Sequence, residues 1–139
     1  MILVLDASMA LAWIFERGKP AEAACADRVL DAAISAQLTV PSLWHTEVAN
    51  ALLVGERRKV ITEAQVIDYL TRLDHLPIRM DDASPAVRRD QVLGLAREHG
   101  LTAYDATYLE LSLRLGAVLA TFDVKLAEAM RRAGGAVFE

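Results

Sequence analysis

Most of the 19 acidic residues fall on polar helix faces, but four stand where a carboxylate could do chemistry: Asp6, Glu47, Asp105 and Asp123. Asp6 directly follows Ile2-Leu-Val-Leu5, an all-apolar run of the kind expected of a strand buried on both faces. Chain leaving such a strand reaches the ligand-binding edge of an open α/β sheet. Asp123 repeats the arrangement after the apolar segment Gly116–Thr121. Either aspartate could instead cap the following helix, yet two strands each delivering one are harder to assign to capping alone. Glu47 lies four residues after Leu43 and four before Ala51, within the apolar stripe of its helix. An ionised carboxylate there is costly unless paired, hydrogen-bonded or metal-bound; the alternative is a place at the edge of the stripe. Asn50, three residues on, lies on an adjacent face and could share the same pocket. Asp105 has the strongest structural alternative, because Thr102-Ala-Tyr-Asp105 is spaced as a capping box with Asp in place of Glu or Gln.

Convergence of these four acids would have a chemical consequence. Like charges a few Å apart raise one another's pKa and titrate as a set, and a divalent cation resolves the conflict. An oxygen-only donor set without His or Cys favours Mg²⁺ or Mn²⁺ over zinc. A hydrated Mg²⁺ leaves room for a phosphate oxygen and an attacking water, which is the chemistry of phosphodiester hydrolysis, with one metal or two. Metal-free cleavage through a 2′-hydroxyl would want a positioned acid–base pair such as two histidines. His45, His75 and His99 show no such arrangement and read as surface or loop-end residues.

The elements that must position these residues alternate. Strands are expected at Ile2–Leu5, Leu38–Val40, Pro77–Met80, Gly116–Thr121 and Ala136–Phe138. Helices are expected from Met9 to Phe15 with Ser8 as cap, from Pro20 to Ser35, from Ser42 to Arg58, and from the capping box Thr62-Glu-Ala-Gln65 to Leu73. Three more run from Ser84-Pro85 to His99, from Ala103 to Arg114 and from Val124 to Arg132. Short apolar strands alternating with helices imply right-handed crossovers and a parallel sheet with helices on both faces. There is no repeat, linker or low-complexity segment, so residues 1–139 read as one α/β domain.

Composition narrows the function classes. The 139 residues carry 15 Lys and Arg against 19 Asp and Glu, a net charge of −4, with 54% hydrophobic residues. That excludes disorder and supplies one core. It also argues against a protein that coats nucleic acid non-specifically, though not against an enzyme that gathers carboxylates in one pocket. The lone cysteine, Cys25, excludes an internal disulfide and a cysteine-based zinc site and fits a reducing compartment. The longest clean apolar run, Met9–Phe15, has seven residues, too few to span a bilayer. Asp6 interrupts the only candidate signal core. A cytoplasmic protein without membrane association is expected.

Four segments in order, Leu3-Val-Leu-Asp6-Ala-Ser8, Glu47-Val-Ala-Asn50-Ala-Leu52, Leu101-Thr-Ala-Tyr-Asp105-Ala-Thr-Tyr-Leu109 and Ala120-Thr121-Phe-Asp123-Val-Lys-Leu126, resemble the PIN domain, a metal-dependent nuclease fold. The chain looks most like the toxin of a VapBC-type toxin–antitoxin pair. This resemblance implies a three-layer α/β/α fold with a central parallel sheet whose first strand is central. It implies an endoribonuclease whose acidic quartet is Asp6, Glu47, Asp105 and Asp123, binding Mg²⁺ or Mn²⁺. Ser8 and Thr121 would support the quartet by hydrogen bonding, and Asn50 matches the usual neighbour of the glutamate. Water activated by the cation would attack RNA, leaving 5′-phosphate and 3′-hydroxyl ends, with Asp123 or Asp105 orienting the water. A homodimer and a cognate VapB-type antitoxin whose tail fills the active-site groove are also implied.

Other features carry less. Arg57-Arg-Lys59 could steer RNA, but cations are favoured at a helix C-terminus, as are Arg131-Arg132. Asp81-Asp82 reads as a polar turn beside Ser84-Pro85. Trp13, Trp44, Tyr104 and Tyr108 could stack on bases but at helical spacing read rather as core or dimer interface. Apolar helix faces in the first 60 residues could bind a partner helix. A phosphoacceptor signalling module would want paired acids after the first strand, where Ala7-Ser8 follows Asp6, and a lysine ending a late strand, where Lys125 instead falls on a helix. A PIN domain that processes RNA without being a toxin stays open. A purely structural domain would be expected to have lost one of the four acids.

Overall fold

The computed structural model describes all of residues 1–139. Strand β1 (Ile2–Leu5) is followed by helices α1 (Ala7–Leu11) and α2 (Pro20–Ala32), then β2 (Gln37–Val40), α3 (Leu43–Arg57), α4 (Glu63–Leu73) and β3 (Ile78–Met80). The second half comprises α5 (Pro85–His99), α6 (Ala103–Leu115), β4 (Val118–Ala120), α7 (Val124–Arg132) and β5 (Ala136–Val137). All strands are parallel, in the order β3-β2-β1-β4-β5. The first strand is therefore central, as the resemblance implied.

This order places a switch point at β1. The chain moves outward on one side through β2 to β3, then returns to the other side for β4 and β5. Right-handed crossovers then send α1–α4 to one face and α5–α7 to the other. Packing of α1 on α3, and of α6 on both α5 and α7, follows that division and gives a three-layer α/β/α architecture. Burial explains the strand composition: Leu3, Val4, Leu5, Leu38, Val40, Leu119 and Ala120 are all wholly inaccessible, with Thr39 the one buried polar side chain in the strands, as expected of strands covered on both faces.

Local signals account for most helix ends. Thr62 and Gln65 form the reciprocal capping box of α4. Gly100 and Gly116 take left-handed conformations just past the ends of α5 and α6, at φ 64° and 60°. Several expected boundaries shift. The strands expected at Pro77–Met80, Gly116–Thr121 and Ala136–Phe138 are shorter, and α2 ends at Ala32, with turns carrying the chain through Ser35. The first helix starts at Ala7 rather than Met9, with Asp6 in the N-cap position and turns from Ala12 to Phe15. Ser8 is no cap, because its hydroxyl is committed to Asp6 and to the backbone of Phe122. No helix is long and apolar enough to cross a membrane.

Candidate active site

The sheet's carboxyl edge at the switch point brings the four acids together. Asp6 follows β1, and its N–H donates to the Ala120 carbonyl of β4 at 3.0 Å, which locks the two strand ends side by side. Asp123 follows β4, Glu47 comes from the second turn of α3 and Asp105 from the first turn of α6. All four, with Ser8 and Asn50, line one open cavity of about 440 Å³. A separate cavity of about 310 Å³, between Pro41, Arg88 and Glu110, contains none of the quartet.

Two hydroxyls order the base of this cavity. The Ser8 hydroxyl donates to Asp6 Oδ2 at 2.7 Å, and the Thr121 hydroxyl donates to the same oxygen at 2.6 Å. Each hydroxyl accepts a backbone N–H in turn, Ser8 from Phe122 at 3.0 Å and Thr121 from Asp123 at 2.9 Å. Those N–H donors occupy one acceptor site on each hydroxyl and favour the arrangement in which both protons point at Asp6. Thr121 does not itself line the cavity; it works from behind Asp6. Asp6 sits in the N-cap position yet makes no side-chain cap bond, so its carboxylate is not spent on the helix. Asp123 does cap α7, accepting the Leu126 N–H at Oδ1 at 2.9 Å, and still faces the cavity.

Glu47 is half-buried at the edge of the α3 stripe, and Oε1 accepts the Tyr108 hydroxyl at 2.5 Å. Tyr108 is itself fully buried, so α6 clamps the glutamate of α3 across the site. Asp105 is held by one half of a capping box: its N–H donates to the Thr102 hydroxyl at 3.1 Å, and no return bond forms. Its carboxylate is left to the cavity, because Asp is one methylene shorter than the Glu or Gln that would reach back.

Three of the four carboxyls are pushed above their ordinary values. Burial is the main cause for Asp6, opposed by the Thr121 and Ser8 hydroxyls and the Ala7 backbone, and reinforced by the charge of Asp123. Burial also leads for Glu47, opposed by Tyr108 and reinforced by Asp6 and Asp105. For Asp105 burial is followed by the charges of Asp123 and Asp6, with the Thr102 hydroxyl and Lys125 acting the other way. The acids thus repel one another through a partly desolvated space, and a cation there would relieve all of them.

The donor set fits a hard cation. Only oxygen and amide donors and one guanidinium face the cavity, with no His or Cys. No three His, Cys, Asp or Glu side chains stand close enough together to ligate one ion directly. An ion bound through one or two carboxylates and several waters, as Mg²⁺ prefers, suits that spacing better than zinc does.

Of the histidines, His45 and His75 are exposed, and His99 is the last residue of α5, a loop-end position, with a side chain only 7% exposed. Among the aromatics Trp44 and Tyr108 are buried, and Trp13 is partly buried with Nε1 donating to the Ala26 carbonyl; Tyr104 is exposed. Arg57 lies in the last turn of α3 and Arg131-Arg132 in that of α7. Asp81 is more than a turn residue, since both its oxygens accept from Arg114, at 3.2 and 2.6 Å. Sequence reasoning missed two residues at the site. Tyr108 reads as plain core because its hydroxyl meets Glu47 only in three dimensions, and Arg17 falls within a polar break, Glu16–Lys19, yet reaches the cavity wall.

A parallel α/β domain with an acidic cavity at its switch point defines the class, and comparison with known proteins identifies the family. The chain belongs to the PIN-domain family, whose profile matches residues 3–131. It is 34% identical over 131 residues to Ribonuclease VapC3 of Pyrobaculum aerophilum, covering 92% of this chain and 94% of that protein. The crystal structure of PAE2754 from Pyrobaculum aerophilum superposes with a TM-score of 0.70 at 27% identity, covering 99% of this chain and 83% of that one. FitAcB from Neisseria gonorrhoeae superposes at 0.64 with 19% identity, covering 100% and 97%, and shares the fold.

Proposed function

We propose that this protein is a Mg²⁺- or Mn²⁺-dependent endoribonuclease that acts as the toxin of a type II toxin–antitoxin pair. The observation that carries the reading is the convergence of Asp6, Glu47, Asp105 and Asp123 on one cavity, three of them with raised pKa values through burial and mutual repulsion. Similarity to Ribonuclease VapC3 supports RNA as the substrate, and the resemblance to VapBC-type toxins implies a VapB-type antitoxin as the partner. The whole chain, 1–139, acts as one domain in the cytoplasm and as a homodimer; Leu53, Ile67 and Leu70 leave apolar surface on α3 and α4 for protein contacts.

Asp6, Glu47, Asp105 and Asp123 would hold the cation between them, one or two directly and the others through its waters, with Asn50 on the cavity wall. When bound, such a cation lowers the pKa of water and offsets negative charge on a phosphoryl oxygen. The Ser8 and Thr121 hydroxyls donate to Asp6 and favour its charged form, against the burial that raises its pKa. Tyr108 keeps Glu47 turned to the cavity and favours its charged form. Asp105, whose carboxylate has no capping task, is the acceptor best free to orient an attacking water. Asp123, tied to the start of α7, works as a fixed charge.

The test is cleavage of cellular RNA by the purified protein freed of antitoxin, with Mg²⁺ or Mn²⁺, with EDTA, and by the Asp6→Asn variant. Metal-dependent cleavage that is absent from the variant supports the reading. Equal cleavage in EDTA or by the variant, or none by the wild type on any cellular RNA, contradicts it.

A further inference from the structure

One cation shares the acidic cavity: Arg17, in the loop between α1 and α2. In a pocket of four carboxylates an arginine would be expected to pair with one of them and neutralise it. Arg17 does not. Its ion-pair partner is Glu22 in the first turn of α2, with Nη2 and Nε at 2.5 and 2.7 Å from the same carboxylate oxygen. Its guanidinium carbon, Cζ, lies over the Phe122 ring, 4.4 Å from the centroid. Phe122 is fixed in turn, because its N–H donates to the Ser8 hydroxyl that holds Asp6.

These contacts constrain the guanidinium from two sides. Glu22 takes up Nε and Nη2 and the Phe122 ring lies beneath Cζ, which leaves Nη1 without a protein acceptor. The side chain is 32% exposed and lines the open cavity beside the quartet. A planar fork held this way has lost most of its rotamer freedom before any ligand arrives, and a guanidinium matches phosphate geometry. We infer that Arg17 is a phosphate-binding residue for the RNA strand, seating a backbone phosphate beside the quartet, and that Glu22 and Phe122 are its positioning residues. The inference rests on the nuclease reading of the quartet and adds to it the group that registers the substrate.

The test uses a short fluorescein-labelled single-stranded RNA, titrated against protein carrying Asp6→Asn to prevent turnover, across a range of salt concentrations. Arg17→Met, which keeps the stem and removes the charge, is compared with Arg17 in that background, and thermal melts confirm that both are folded. Weakening of about 10-fold is expected, with the slope of log affinity against log salt falling by about 0.7, the value for one lost phosphate contact on a single strand. With Asp6 restored, Arg17→Met should raise KM more than it lowers kcat. Glu22→Gln should give a smaller effect in the same direction, which a residue that only stabilises the loop would not produce. Unchanged affinity and salt slope in folded Arg17→Met overturn this assignment while wild-type cleavage leaves the nuclease reading standing. A wild type that cleaves no RNA overturns the nuclease reading, and one that binds none overturns both.

Discussion

Of the four carboxylates, Glu47 depends most visibly on a single neighbour. The Tyr108 hydroxyl donates to Glu47 and opposes the pKa rise that burial causes. Removing it in Tyr108→Phe leaves ring and packing in place but withdraws a donor that favours the charged carboxylate. The Glu47 pKa then rises further, so the fraction ionised at a given pH falls. The expected result is a pH–rate profile whose acidic limb moves to higher pH, with activity below neutral pH reduced about 10-fold, the scale seen when a supporting hydrogen bond is lost at a metal site. A profile superimposable on the wild type's would show that the bond has no bearing on catalysis. The legibility of each site residue follows from how locally it is determined. Asp6 and Asp123 announce themselves by following apolar strands, and Glu47 by lying in an apolar stripe. Tyr108 and Arg17 gain their roles from partners remote in sequence, Glu47 at 61 residues' distance in one case and Phe122 after β4 in the other, and no local pattern encodes that.

At the scale of elements, strand runs and caps were readable because they are set by neighbouring residues: the Thr62–Gln65 box and the glycines after α5 and α6 stand where the sequence puts them. The start of α1 was not. Ser8 has the chemistry of a cap, but a tertiary bond to Asp6 and Phe122 outcompetes it, and the helix begins at Ala7 instead. Asp81 likewise reads as a turn residue until Arg114 arrives from α6. The loop carrying Arg17 has its own structural dependency. A Cβ on Gly55 of α3 would come within 2.8 Å of the Phe15 ring and 3.1 Å of Ile61. Gly55→Ala should therefore displace Phe15, two residues from Arg17, at a cost of about 1–3 kcal/mol. A denaturant melt measures it, and stability equal to the wild type's would mean that the loop yields freely.

For the whole molecule, the acidic site is a stability liability that a cation would remove. Asp6, Glu47 and Asp105 all have raised pKa values in the folded state, so between their unfolded and folded pKa values the native chain binds more protons than the unfolded one. Stability then falls as pH rises from about 4 upward through the folded values, and the loss is complete above them. These three groups should accordingly contribute a Tm that falls as the pH of the metal-free protein is raised from about 4 toward neutrality, which a series of thermal melts across that range checks. A cation that binds only the folded state works in the opposite sense, raising Tm with concentration. The most direct test of a single four-acid metal site is thermal unfolding near pH 7 with and without Mn²⁺, for the wild type and Asp6→Asn side by side. The account predicts that metal-free Asp6→Asn melts above the wild type by a few degrees, because a buried, repelled charge is gone at constant volume. It predicts further that Mn²⁺ raises the wild-type Tm and leaves the variant's unchanged. A wild-type Tm that does not respond to Mn²⁺, or a variant that responds equally, would contradict it.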